Sequence, residues 1–174
     1  PPSQPAALGL ATQPPATTAS GVVFGQQPVV EVRDAAGQPV AARAVQVTAS
    51  ISSAGAALLG TVSVRTDDQG RAVFADLGLA GTVGDYAIRF SAPGLATVAS
   101  GLVSLVAGSP AVIEPAAGNN QVAPAGTAVA VAPAARLKDA AQNPIAGVVV
   151  VFSVDSGGGT ITGDSAMTDS DGVA

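Results

Sequence analysis

Residues 34–40 read DAAGQPV and residues 139–145 read DAAQNPI, so a chain of 174 residues says nearly the same thing twice, 105 positions apart. Each stretch has the chemistry of a turn. The carboxylate of Asp34 or Asp139 can accept from the backbone two residues on, Gly37 supplies a left-handed backbone, and Pro39 or Pro144 interrupts strand pairing before the next strand. In the second stretch Gln142 stands where Gly37 stood, and Asn143 is expected to take the left-handed position, which a short polar side chain tolerates.

Sliding the chain on itself by 105 positions pairs Pro5 with Pro110, Leu8 with Ile113, Gly21 with Gly126 and Pro28 with Pro133. The match runs on through the two turns to Val45/Val150 and Val47/Phe152, after which a three-residue deletion brings TDDQGRA (66–72) onto TDSDGVA (168–174). Solenoid units run only about 20 to 50 residues, so a period of this length is a repeated domain. The expected domains are residues 1–107, complete, and residues 108–174, without its closing strands, because residues 73–106 have no counterpart in the second copy. The Pro-bearing link AGSP (107–110) predicts a semi-rigid joint.

Within the first copy, residues 29–33, 44–50, 61–66, 72–77, 86–91 and 102–106 are short runs that mostly alternate apolar with polar, which predicts strands. Gly, Pro, Asp and Asn punctuate them at intervals of roughly ten residues, and no stretch carries a helical period with caps. The predicted fold class is all-β, as tandem immunoglobulin-like β-sandwiches of which the second is incomplete. Tyr86, opening the strand GDYAIRF, sits where Greek-key sandwiches place a tyrosine whose hydroxyl bonds back to upstream backbone.

Composition narrows function. The chain has no His, Cys or Trp, one Tyr and four Phe. That removes Ser-His and Cys-His nucleophiles, disulfides and imidazole zinc sites, and leaves too few aromatics to shape a sugar cleft. The expectation is a protein that is not an enzyme and needs no cofactor. Charged residues make up 11% against about 25% in an ordinary soluble domain, and the net charge is −5 with the seven basic residues scattered, so nucleic acid has no electrostatic footprint to follow. A neutral surface suits packing against other chains. The longest apolar run, 145–152, falls far short of the ~20 residues of a membrane span. The chain opens at Pro1 without a basic and apolar leader, as an excised or processed piece does.

Asp67, Asp68, Asp169 and Asp171 in TDDQG and TDSDG are weak metal candidates. DSDG echoes the start of a calcium loop but lacks its downstream Glu, and strand turns favour Asp and Gly anyway, so no metal is expected. Lys138 invites a Lys–Asn crosslink, yet its counterpart is Arg33, which cannot form such an amide. The patch PATTASG (15–21) is read as an irregular first strand or linker rather than a glycan carrier, and Asn119 and Asn120 lack the N-x-[ST] pattern.

The ordered motifs VRDAAGQPV, ARAVQVT, VRTDDQGRAVF and GDYAIRF, matched again over residues 137–174, resemble the bacterial Ig-like repeats of the invasin and intimin type, the Big-domain tandem repeats. The resemblance implies an extracytoplasmic structural or binding module, part of a stalk or surface array, with other protein chains as partners. Alternatives are an accessory subunit bracing a larger periplasmic or membrane-bound complex, and a filament subunit completed by a donor strand from another chain. A carbohydrate-binding module comes after these. For the missing strands, truncation of a longer protein is preferred over donation.

Overall fold

The computed structural model describes residues 3–174, and among them the fold is all-β, with fifteen strands and no helix. The chain divides into two compact units, one ending at Val106 and one running from Ala107 to Ala174.

The first unit holds β1 (Ala7–Thr12), β2 (Thr17–Ala19), β3 (Val22–Val23), β4 (Val29–Arg33), β5 (Gln46–Ile51), β6 (Ala56–Leu59), β7 (Ser63–Arg65), β8 (Arg71–Val73), β9 (Gly78–Gly81), β10 (Gly84–Ser91) and β11 (Val98–Val106). They form sheets in the orders β1-β4-β8, β2-β11-β10-β5-β7 and β3-β9-β6. Alternation builds the core. Tyr86, Ile88 and Phe90 are the buried positions of β10, and Val47 and Ala49 those of β5. With Leu8, Val30, Val32, Ala72, Phe74, Leu79, Val103 and Leu105 they make one cluster fed by all three sheets, the layering of a β-sandwich type of fold. The rings of Phe74 and Phe90 lie 5.4 Å apart and tilted by 56° at its middle, and burying each stabilises the fold by roughly 2–3 kcal/mol. Glu31 is the buried exception on β4, and Arg33 pairs with it at 2.8 Å.

The second unit holds β12 (Pro110–Ala117), β13 (Ala134–Asp139), β14 (Val149–Val151) and β15 (Ser165–Met167), as antiparallel pairs β12-β13 and β14-β15. Its buried apolar residues are Ala135, Leu137, Ile145 and Val150.

Several expectations need correction. The runs 61–66 and 72–77 shrink to β7 and β8, while β1, β2, β3, β6 and β9 were not predicted as strands: Gly, Ala and Thr dilute the alternation there. Pro39 does not stop pairing. Arg33 bridges Pro39 and Lys138 bridges Pro144, with Val40 N–H donating to Val32 O and Ile145 N–H to Leu137 O. The missing N–H of each proline falls at a position of the hairpin where no ladder bond is made, so the ring is accommodated.

The internal register also shifts earlier than the sequence suggests. Ala44 (φ 63°) and Gly147 (φ 77°) are the left-handed residues before the second hairpin arm. Ala44 N–H donates to Thr66 O and Gly147 N–H to Thr168 O. The Oγ1 of Thr66 and of Thr168 accepts from Val45 and Val148, at 2.9 and 3.0 Å. Val45 therefore corresponds to Val148, and Val47 to Val150, both buried. Two of the three missing residues are lost between Val40/Ile145 and Ala44/Gly147, ahead of the strand. Identical apolar letters on both sides of the gap made the simpler offset look right.

Candidate functional site

Four copies of one turn organise both units. In each, an Asp backbone N–H donates to the residue four positions on and the residue three positions on returns its N–H to the Asp carbonyl: Asp34/Gln38 with Gly37, Asp67/Arg71 with Gly70, Asp139/Asn143 with Gln142, and Asp169/Val173 with Gly172. The fourth residue is left-handed every time, at φ 79°, 78°, 67° and 73°. This is a type I turn closed by a bulge residue that prefers glycine. One carboxylate oxygen accepts two backbone N–H groups in each case, from Ala36 and Gln38, Gln69 and Arg71, Ala141 and Asn143, and Asp171 and Val173, at 2.8–2.9 Å. The left-handed residue in the third copy is thus Gln142. Asn143 is committed elsewhere, since its N–H and side-chain amide both donate to Asp139, and that closure sets the fourth position as the one that turns left.

The turns stack in pairs. Gly70 O accepts from Val32 N–H, and Gly172 O from Leu137 N–H. A Cβ on Gly70 would stand 2.0 Å from Val40 O, and one on Gly172 2.5 Å from Leu137 O. Thr66 and Thr168, buried at the foot of each second turn, clasp the hairpin arm above. Sequence reasoning missed these threonines, although each heads its TD motif in the same place.

The acidic candidates are spent on this architecture. The N–H of Arg71, then that of Gln69, hold the Asp67 carboxyl below its ordinary range. Asp68 pairs with Arg43 at 2.9 Å on the surface. Asp169 accepts the N–H of Asp171. Among the described residues no three acidic side chains converge as metal ligands. Asp34 is likewise held low, chiefly by Gln38 N–H.

Asp139 is the one buried carboxylate of the four. Burial pushes its carboxyl up, but the Asn143 side chain, Gly108 N–H (2.8 Å) and the N–H groups of Asn143 and Ala141 together outweigh that and leave it lowered. Lys138 bonds Glu114 across β12 and β13 and holds that carboxyl low. Tyr86 donates its hydroxyl to Thr82 O at 2.8 Å, four residues upstream. Residues 17–19 of the PATTASG patch form β2 beside β11.

One surface is left without a structural duty. A groove of about 340 Å³ on the second unit is lined by Ile113, Pro115, Ala117, Pro133, Ala135 and Phe152. Ile113 is 60% exposed, whereas Leu8, its counterpart by the 105-residue offset, is 5% exposed; Val129 is 42% exposed against 3% for Phe24. Val149, Val151 and Met167 on β14 and β15 are exposed as well. No helix among the described residues is long and apolar enough to cross a membrane.

No protein-family model matches the chain, and no curated protein matches it. Among solved structures, a beta-glycosidase from Bacteroides vulgatus is similar over 59% of this chain and 14% of that one, at 14% identity and a TM-score of 0.47. A likeness that slight carries no argument about what this chain does.

Proposed function

We propose that the chain is a non-enzymatic structural module, two Ig-like β-sandwiches in tandem (residues 1–107 and 108–174), serving as an extracytoplasmic stalk or surface-array segment of a bacterial Ig-like repeat protein. The observation that carries this reading is the doubled hydrogen-bond set: Asp turn, left-handed fourth residue, and threonine clasp recur in both units at matched positions. Every polar group that could do chemistry is engaged in holding backbone. A module whose carboxylates are consumed as turn acceptors, on a surface with few charges, is suited to spacing and packing. Its expected partners are other protein chains, and neither nucleic acid nor a metal has a site to recruit it.

The exposed apolar residues of the second unit favour one further reading, an accessory subunit bracing a larger periplasmic or membrane-bound assembly. Cross-linking mass spectrometry on the native source separates the two. Repeated contacts with its own kind support the array. Contacts confined to one defined membrane complex overturn it in favour of the accessory subunit, and recovery in the cytoplasmic fraction overturns both.

A further inference from the structure

We propose that the free edge of β14 and the apolar groove beside it form a docking site for an amphipathic antiparallel β-hairpin, one whose first strand carries a small residue opposite Phe152. The inference rests on reading both units as one module, and the first unit shows what occupies the corresponding place.

There, β5 has two neighbours. On one side it pairs with β7, Gln46 opposite Arg65; on the other it pairs with β10, Thr48 opposite Ser91, Ala49 opposite Phe90, Ser50 opposite Arg89 and Ile51 opposite Ile88. In the second unit β14 keeps the first neighbour, with Val149 opposite Met167. The bond from Ala49 N–H to Val62 O is matched by that from Phe152 N–H to Asp164 O. Residues 151–154 thus take the places of residues 48–51, and among the described residues no strand pairs with their second edge. An unpaired edge next to exposed apolar side chains is a template for an added strand.

The first unit also specifies the chemistry of the occupant. The β10-β11 hairpin presents Ile88, Phe90, Val103 and Leu105 to the core that buries Leu8 and Phe24. Ile113 and Val129, their counterparts, await equivalent cover, so the occupant must present apolar side chains at alternate positions on both strands. One position differs. Phe90 lies opposite Ala49, a large residue beside a small one, but in the second unit the small residue has become Phe152. Two phenylalanines cannot share that space without overpacking. The occupant's residue at the Phe90 position is therefore small, which distinguishes it from the hairpin of the first unit.

The test uses the full chain with synthetic peptides covering residues 84–106, in the native sequence and as F90A, read by amide hydrogen exchange. Stabilised exchange at residues 151–154 by tenfold or more with the F90A peptide, and less with the native one, supports the site. Because a free hairpin folds poorly, a second protein carries residues 73–106 with F90A appended after Ala174, where effective concentration replaces affinity. Unslowed exchange at residues 151–154 in both formats overturns the proposal, as does a stronger effect of the native peptide. Protection of those amides in a dimer of the unmodified chain also overturns it, by making a second copy the occupant. The amides of Leu137, Thr168 and Gly172 report separately on the module reading. If they exchange freely in the unmodified chain, that reading fails; if they are protected while residues 151–154 never become so, only the docking site fails.

Discussion

Gly37 and Gly70 have the same φ within a degree, yet alanine at the two positions should cost very different amounts. At Gly37 nothing lies within 4 Å of an added Cβ, so only the backbone conformation objects. A left-handed L-residue costs about 1–2 kcal/mol, and the stiffer unfolded chain returns about 0.4–1, for a net loss of about 1 kcal/mol. At Gly70 the same Cβ would sit 2.0 Å from Val40 O and 3.1 Å from Ala42 N, backbone atoms that cannot swing aside. Relief requires separating the turn from the hairpin it supports, which strains the 2.9 Å bond from Val32 N–H to Gly70 O. Overpacking of this kind adds about 1–3 kcal/mol, for a total of about 2–4 kcal/mol. Tyr86 is the only tyrosine, there is no tryptophan, and it is buried in the first unit, so tyrosine fluorescence during urea unfolding reports that unit alone. With a slope of about 1.5 kcal/mol per molar urea, the midpoint should fall by about 0.7 M for Gly37→Ala and by about 2 M for Gly70→Ala. Equal shifts would refute the stacking of the two turns as the reason for glycine at position 70.

Gln142→Gly removes a left-handed side chain and should raise the stability of the second unit by about 0.5 kcal/mol, since relief of strain exceeds the added chain entropy; NMR-monitored unfolding of that unit checks it, and a loss of stability contradicts it. Asp139 has a folded pKa below its unfolded one, so its contribution is in place above the unfolded value of about 4 and is lost as pH falls through the folded value. Asp139→Asn sets a donor against donors and should cost about 2 kcal/mol at neutral pH while flattening the acid slope of the second unit, and an unchanged slope in NMR-monitored melts argues against the assignment. Tyr86→Phe leaves Thr82 O without its donor and should cost about 1 kcal/mol by calorimetry. Millimolar calcium should leave the melting temperature where it is; a rise of several degrees, reversed by chelator, would restore Asp67, Asp68, Asp169 and Asp171 as ligands.

What could be read from the sequence was local. The run VVEVR coincides with β4 because Val30 and Val32 face the core in strict alternation, and DAAGQPV is a turn because Asp34, Gly37 and the chain between them satisfy one another. The left-handed Gln142 was misassigned because intrinsic preference favours asparagine, whereas the closure of Asp139 on Asn143 decides the matter. β6 and β9 were illegible for a related reason. Strands such as AALL and GLAG acquire their pattern only from the partners they pair with, Leu58 opposite Leu79, and nothing within either run announces the other. The threonine clasp was visible as letters but not as a role, since it needs the hairpin arm that folds over it.

The same distinction explains why the two units share their turns and differ in their surfaces. A five-residue turn with its own acceptor and its own left-handed residue closes by contacts of very short range, so Asp139–Asn143 can form as fully as its counterpart whatever else is in place. Burial of Leu8 depends on strands brought from far along the chain, and Ile113, with the same chemistry, stays in contact with water. The ion pairs tell a similar story: Glu31, clasped by Arg33 and near Arg71, is replaced by Arg136, and Arg71 by Val173. Outer-face pairing is therefore not what the repeat preserves. What it preserves is the backbone frame, and a frame intact beneath an uncovered apolar face gains stability from any chain that covers it, by an amount that grows with the concentration of that chain. The stability of the first unit is its own property, whereas that of the second should vary with the company it keeps.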